Sequence, residues 1–162
     1  MAKPIERTIA RWHMLQFTEE FRNEIDRYIE LSPTEVARQL KQQFDVIQDK
    51  IVPPMTLALY ASDGGHSVTP VSVEEVETGY LINVYDSNWP GQLRYVTVGN
   101  NGEWTYQGAH QNPDDKSMAW AESGPGTMAL IPHTLIGSNF HCFFCEKLSE
   151  EVVGTGSVII LN

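Results

Sequence analysis

Gly64-Gly65-His66-Ser67-Val68-Thr69-Pro70-Val71 and Gly79-Tyr80-Leu81-Ile82-Asn83-Val84-Tyr85-Asp86-Ser87-Asn88-Trp89-Pro90-Gly91 are the two runs whose reading decides the fold. Each is rich in β-branched and aromatic residues and is bounded by glycine or proline, so each reads as a strand. His66 opens the first strand and Asp86 closes the second. If the turn at residues 74–79 joins them as an antiparallel pair, both residues lie at the same end of the ladder. There an imidazole donates one ring N–H to the carboxylate and presents its other nitrogen to a nucleophile. These are two thirds of a catalytic triad, and neither run supplies the third.

Upstream of this pair the period is helical. Thr18 caps a first helix, with Phe21, Ile25, Tyr28 and Ile29 along one face. Ser32-Pro33-Thr34-Glu35 is a capping box with proline at the first helical position. Val36, Leu40, Phe44, Ile47 and Ile51 then form an apolar stripe at three- and four-residue spacing, which Pro53-Pro54 ends. Residues 55–61 are mostly apolar and predict a buried central strand. Residues 67–76 alternate, with Val68, Val71, Val73 and Val76 as candidate inward residues and a change of phase near Pro70. Downstream, residues 93–98 and 104–106 flank Gly99-Asn100-Asn101-Gly102, a hairpin signal. Residues 107–125 are polar and rich in Asn, Asp, Gly and Pro, which predicts an excursion loop. Residues 127–131 and 157–161 read as closing strands. Helices followed by antiparallel strands define an α+β fold, with the N-terminal helices packed on a sheet of five or more strands. With no internal repeat and no composition break, residues 1–162 read as a single domain.

Charge narrows the function. The net charge of −10 argues against nucleic acid, whose phosphates call for a basic surface, and against anionic membrane surfaces. No apolar run reaches the length of about 20 residues that spans a bilayer. Met1-Ala2-Lys3-Pro4-Ile5-Glu6-Arg7 lacks the apolar core of a signal peptide, so a complete chain would be cytoplasmic. The two cysteines, Cys142 and Cys145, are too few for a disulfide framework.

Gly65-His66 and Tyr85-Asp86-Ser87-Asn88-Trp89-Pro90-Gly91, with the apolar strand at 55–61 before them and the strand at 93–98 after, resemble the C-terminal part of a papain-like cysteine peptidase domain of the C39-like branch. The resemblance covers roughly residues 34–106. It implies a papain-like half-barrel, a peptide or protein as substrate and no cofactor. It also implies that His66 is the general base that generates a thiolate, and that Asp86 fixes its tautomer. In that family the nucleophilic cysteine precedes the histidine, on a helix. Here no cysteine occurs before residue 142. The resemblance thus implies a fragment whose nucleophile was cut away, a companion chain or second copy that supplies it, or a pseudoenzyme that lost it. On any of these readings the chain alone is inactive, and an uncovered face beside His66 invites a partner.

Several features have plainer readings. Asp86-Ser87-Asn88 is also an Asx turn, and Pro90-Gly91 completes the strand exit. Asp86 and Asn88 resemble the start of a calcium loop, but Pro90 occupies the next ligand position and no distal glutamate fits. Gln16 and Asn88 are residue types that polarise a carbonyl. Trp89, with Trp104, Trp120, Tyr85, Tyr95 and Tyr106, suits the wall of a peptide or sugar groove, although such aromatics also cap cores. Asn88 and Trp89 are therefore the substrate-binding candidates. Cys142 and Cys145 supply only two of the four ligands of a zinc site, which His141 and His133 would have to complete. Packed among Phe140, Phe143 and Phe144, the thiols read first as core residues. Beside the peptidase lineage stand two alternatives: a non-catalytic binding module on the same scaffold, and a small zinc-bound domain.

Overall fold

The computed structural model describes residues 18–46, 55–62, 64–108 and 119–133. The chain divides into two compact units. The first comprises Met1–Asn23 with Leu135–Asn162, of which residues 18–23 are described; the second, Glu24–Thr134, carries the sheet.

Two helices are described. In α1, Glu19–Asp26, the Thr18 hydroxyl accepts the Phe21 N–H at 3.3 Å, the expected cap. The helix ends before Tyr28 and Ile29. They fall in tight turns closed by Tyr28 N–H to Ile25 C=O at 2.8 Å and Leu31 N–H to Tyr28 C=O at 3.1 Å, and Ile29 is exposed. In α2, Pro33–Val46, Ser32 Oγ accepts the Glu35 N–H at 3.3 Å. Val36, Ala37 and Leu40 are fully buried, and α2 touches β2, β3, β4, β5 and β7 of the sheet described next. Ile47 and Ile51 lie outside the described residues.

Seven strands form one antiparallel sheet: β1 Met55–Ala61, β2 Gly64–Val76, β3 Gly79–Tyr85, β4 Leu93–Gly99, β5 Glu103–Tyr106, β6 Trp120–Ser123 and β7 Met128–Pro132. Their order is β6-β5-β4-β3-β2-β1-β7. The fold is therefore α+β, as the sequence predicts. The sheet is curled. β6 and β7 occupy opposite edges yet are joined by residues 124–127 alone. A flat sheet of seven strands would separate its edges by about 29 Å, whereas this link reaches at most about 17 Å. Curling brings the edges together. Thr127 C=O accepts the β1 amide of Tyr60 at 2.9 Å, and its hydroxyl accepts Trp104 Nε1–H of β5 at 3.0 Å. Ser62 N–H, just past β1, donates to Glu122 of β6 at 3.0 Å.

The inner face of the curl is the core. Ile82, Val96 and Tyr106 face one another across β3, β4 and β5, followed by Val98 and Trp104 one pair along. All are buried, as are Leu57, Leu59, Met128 and Leu130. Two inward assignments on β2 are corrected. Val68 and Val73 are buried, but Val71 and Val76 are exposed. A bulge between Pro70 and Ser72 absorbs Val71 and resets the alternation, and Val76 ends the strand at the turn. The polar stretch at 107–125 is not loop throughout, because Trp120–Ser123 pairs with β5 as an edge strand. Its residues have weak strand propensity, so the sequence hides it. The strand expected at 157–161 lies outside the described residues.

Gly79 begins β3 at φ +140°, and a Cβ there would overlap the Val98 carbonyl oxygen of the neighbouring strand. Gly79→Ala should cost about 3 kcal/mol or more. Urea unfolding should show a lower midpoint at unchanged m-value; an unchanged midpoint would mean the turn relaxes freely.

Candidate active site

Four elements bring their ends to one mouth of the curl. His66 is the third residue of β2, and β3 ends there one residue before Asp86. The pairing of Val96 with Tyr106 and of Tyr106 with Trp120 carries the same inner face across β5 to β6. His66 Nε2 and Asp86 Oδ2 are 2.7 Å apart. Asp86 is completely buried, while the His66 side chain is 18% exposed. The Tyr106 hydroxyl donates to the same Oδ2 at 2.5 Å, and its ring stacks on the imidazole at 5.8 Å between centroids and 16° between planes. Trp120 meets the imidazole edge-on at 6.3 Å.

The two carboxylate oxygens divide their work. Oδ2 holds His66 and Tyr106. Oδ1 accepts the Asn88 N–H at 2.9 Å, closing the Asx turn, while Asp86 C=O accepts the Trp89 N–H at 3.0 Å. Burial alone would raise the Asp86 pKa. The donors Tyr106, Asn88 N–H and His66 outweigh it and hold the carboxyl below its ordinary value. Burial first, and then the bond to Asp86 and its negative charge, push the Tyr106 hydroxyl well above the ordinary phenol range; Arg94 opposes this. Tyr106 is therefore a fixed donor. With Nε2 on the carboxylate, Nδ1 is the ring nitrogen left to accept a proton, and among the described residues no hydrogen bond occupies it.

Other candidates sit elsewhere. Trp89 Nε1–H donates to Gly108 C=O at 2.7 Å, so the indole braces the loop against the end of β5. The Arg94 guanidinium lies over the same ring, 5.2 Å from its centroid. Asn88 is exposed and acts through its backbone. His133 follows Pro132, which pairs with Met55 at the end of β1 remote from His66; its Nε2 is 2.8 Å from Thr56 Oγ1, and burial lowers its pKa. Gln16, His141, Cys142 and Cys145 lie outside the described residues. Among the described residues no three His, Cys, Asp or Glu side chains converge to hold a metal ion, and no helix is long and apolar enough to cross a membrane.

Sequence reading placed Tyr106 only among candidate groove aromatics and did not single out Arg94. The signal for both was the register of the Gly99–Gly102 hairpin. Counting from it pairs Val96 with Tyr106, and Arg94, two residues before Val96 on the same strand, shares that face and pairs with Val84 across β3. Comparisons with protein-family models, curated proteins and solved structures gave no match to this chain.

Because the folded Asp86 carboxyl binds its proton more weakly than the unfolded one, it adds stability above the unfolded value of about 3.8, and that stability is lost as pH falls through the lower folded value. Tyr106→Phe removes one of the stabilising donors. It should cost about 1–3 kcal/mol at neutral pH, and the gap from wild type should close as the carboxyl protonates. Urea unfolding across pH 2–7 measures this. A gap that stays constant with pH would assign Tyr106 to packing alone.

Proposed function

We propose that this chain carries the base and the orienting carboxylate of a papain-like thiol hydrolase of peptide or protein bonds, and that the thiol is not part of the described site. The observation that carries this reading is the 2.7 Å contact between His66 Nε2 and a wholly buried Asp86, which leaves Nδ1 at the mouth of the curl. The Gly65-His66 and Tyr85-Asp86-Ser87-Asn88-Trp89-Pro90-Gly91 runs support the papain-like lineage. In the reaction Nδ1 takes the proton of a thiol, and Asp86 stabilises the imidazolium that forms. The thiolate attacks the scissile carbonyl, and the imidazolium then returns its proton to the leaving amine as the acyl-thioester forms. Water hydrolyses the thioester with Nδ1 again as base.

A small thiol can replace the missing nucleophile. Acyl transfer from p-nitrophenyl acetate to cysteamine should run roughly tenfold faster with the wild-type chain than with His66→Ala, well short of the 10²–10⁴ available to a base with a positioned partner. Equal rates would overturn the role of His66 as a base. Without added thiol, peptides should stay intact. An active-site-directed thiol reagent should label Cys142 and Cys145 no faster in wild type than in His66→Ala. Rapid labelling that disappears in His66→Ala would instead make one of these cysteines the nucleophile.

A further inference from the structure

Arg94 is the single lysine or arginine on the described strands. Its place is set by register. It pairs with Val84, two residues before Asp86, and it lies two residues before Val96, the partner of Tyr106. Diagonal neighbours of this kind sit about 7 Å apart, so Arg94 belongs to the inner face at the same mouth as His66. Its charge is felt there, since it is among the groups acting on the Tyr106 hydroxyl.

The guanidinium is held but not neutralised. It lies over the Trp89 ring and donates through Nη2 to Gln92 Oε1 at 2.5 Å. Among the described residues it meets no carboxylate; the ion pairs that are formed by Lys or Arg, Arg27–Glu24, Arg38–Glu35 and Lys41–Asp45, all lie along helices or the turn that follows one. Its Nε–H is buried and has no acceptor. Bracing of Trp89 accounts for the stacking but not for the empty Nε. A buried donor on a charged group without an acceptor is costly and calls for an explanation. A planar, five-donor fork beside a base matches a carboxylate in shape and charge. In a chain of net charge −10, an unneutralised cation at the mouth is also what an anionic ligand needs in order to approach.

We propose that Arg94 is a carboxylate anchor that holds the free C-terminus, or an acidic side chain, of a peptide beside His66. This deepens the hydrolase reading and rests on it for the chemistry, but the binding itself needs no nucleophile. The test titrates the full chain with N-acetyl-glycyl-glycine and with its C-terminal amide, and follows the Trp89 indole N–H and the His66 ring by NMR. N-acetyl-glycyl-glutamate amide tests the side-chain source of the carboxylate.

Carboxylate-bearing probes should shift both signals saturably, whereas the neutral amide should shift neither. Affinity should fall at least tenfold in Arg94→Gln. Arg94→Lys, which keeps the charge and loses the fork, should fall in between, and it serves if Arg94→Gln does not fold. Wild-type binding should weaken severalfold between about 20 and 200 mM salt. Equal binding of acid and amide, binding that survives in both variants, or shifts at Trp89 with none at His66 would overturn the anchor. Selective binding with no His66-dependent thiol acylation would reject the hydrolase reading and leave the anchor standing.

Discussion

Residues 124–127 hold the two edges of the sheet to within reach of each other, and the site exists because of that constraint. Thr127 alone bonds to β1 through its carbonyl and to β5 through its hydroxyl, although these strands stand four places apart in the sheet. Gly126 N–H adds a bond to Leu31 C=O, just ahead of α2. A flat sheet would leave its apolar face open and spread the ends of β2, β3 and β5 in a line. Curled, it wraps that face around Val36, Ala37 and Leu40 of α2 and turns the strand ends toward a common mouth. The glycines at 124 and 126, with φ of +91° and +78°, allow the reversal that side-chain-bearing residues resist.

Within that mouth the demanding element is a carboxylate removed from water. Burial of an ionised group costs several kcal/mol unless it is matched by donors. Asp86 meets this cost with donors from three separate parts of the chain: its own loop, the start of β2 and the end of β5. The same bonds that keep it charged also fix the imidazole. Asp86 cannot rotate toward His66 without giving up Asn88, and Tyr106 both shares the oxygen and covers one face of the ring. The bond that closes the Asx turn and the bond that holds the imidazole are therefore made by the two oxygens of one side chain, as the sequence reading allowed.

What was legible in the sequence was local or periodic. The N-cap at Ser32, whose expected Glu35 partner pairs with Arg38 instead, the cap at Thr18, the hairpin at Gly99–Gly102 and the antiparallel pairing of β2 with β3 all rest on contacts within a short span of chain. The approach of His66 to Asp86 follows from that pairing. What was not legible depended on closure. Tyr106 and Arg94 reach the site through β4 and β5; the hairpin fixes which face they share, but only closure of the sheet brings that face to His66. β6 is four residues long and gains its place from pairing with β5. Val71 reads as inward from its spacing, and only the bulge, set by how β3 pairs across Pro70, turns it out.

A buried polar cluster that served stability alone would leave no hydrogen-bonding capacity unused, since every spare donor or acceptor inside a protein weakens it. Asp86 and Tyr106 conform, for their oxygens are engaged. The two neighbours that do not conform lie on the same inner face. His66, 18% exposed, has no hydrogen bond at Nδ1 from the described residues, and Arg94 keeps a buried Nε–H without an acceptor. One is a ring nitrogen able to accept a hydrogen bond and the other a fixed positive charge. Their unused capacities are complementary to the two ends of one problem, moving a proton at a reacting centre while a negative group is held still. A module selected only to bind would need the second. Both stand beside a fully satisfied Asp86, and that contrast is the ground on which the proposed function and the proposed anchor rest.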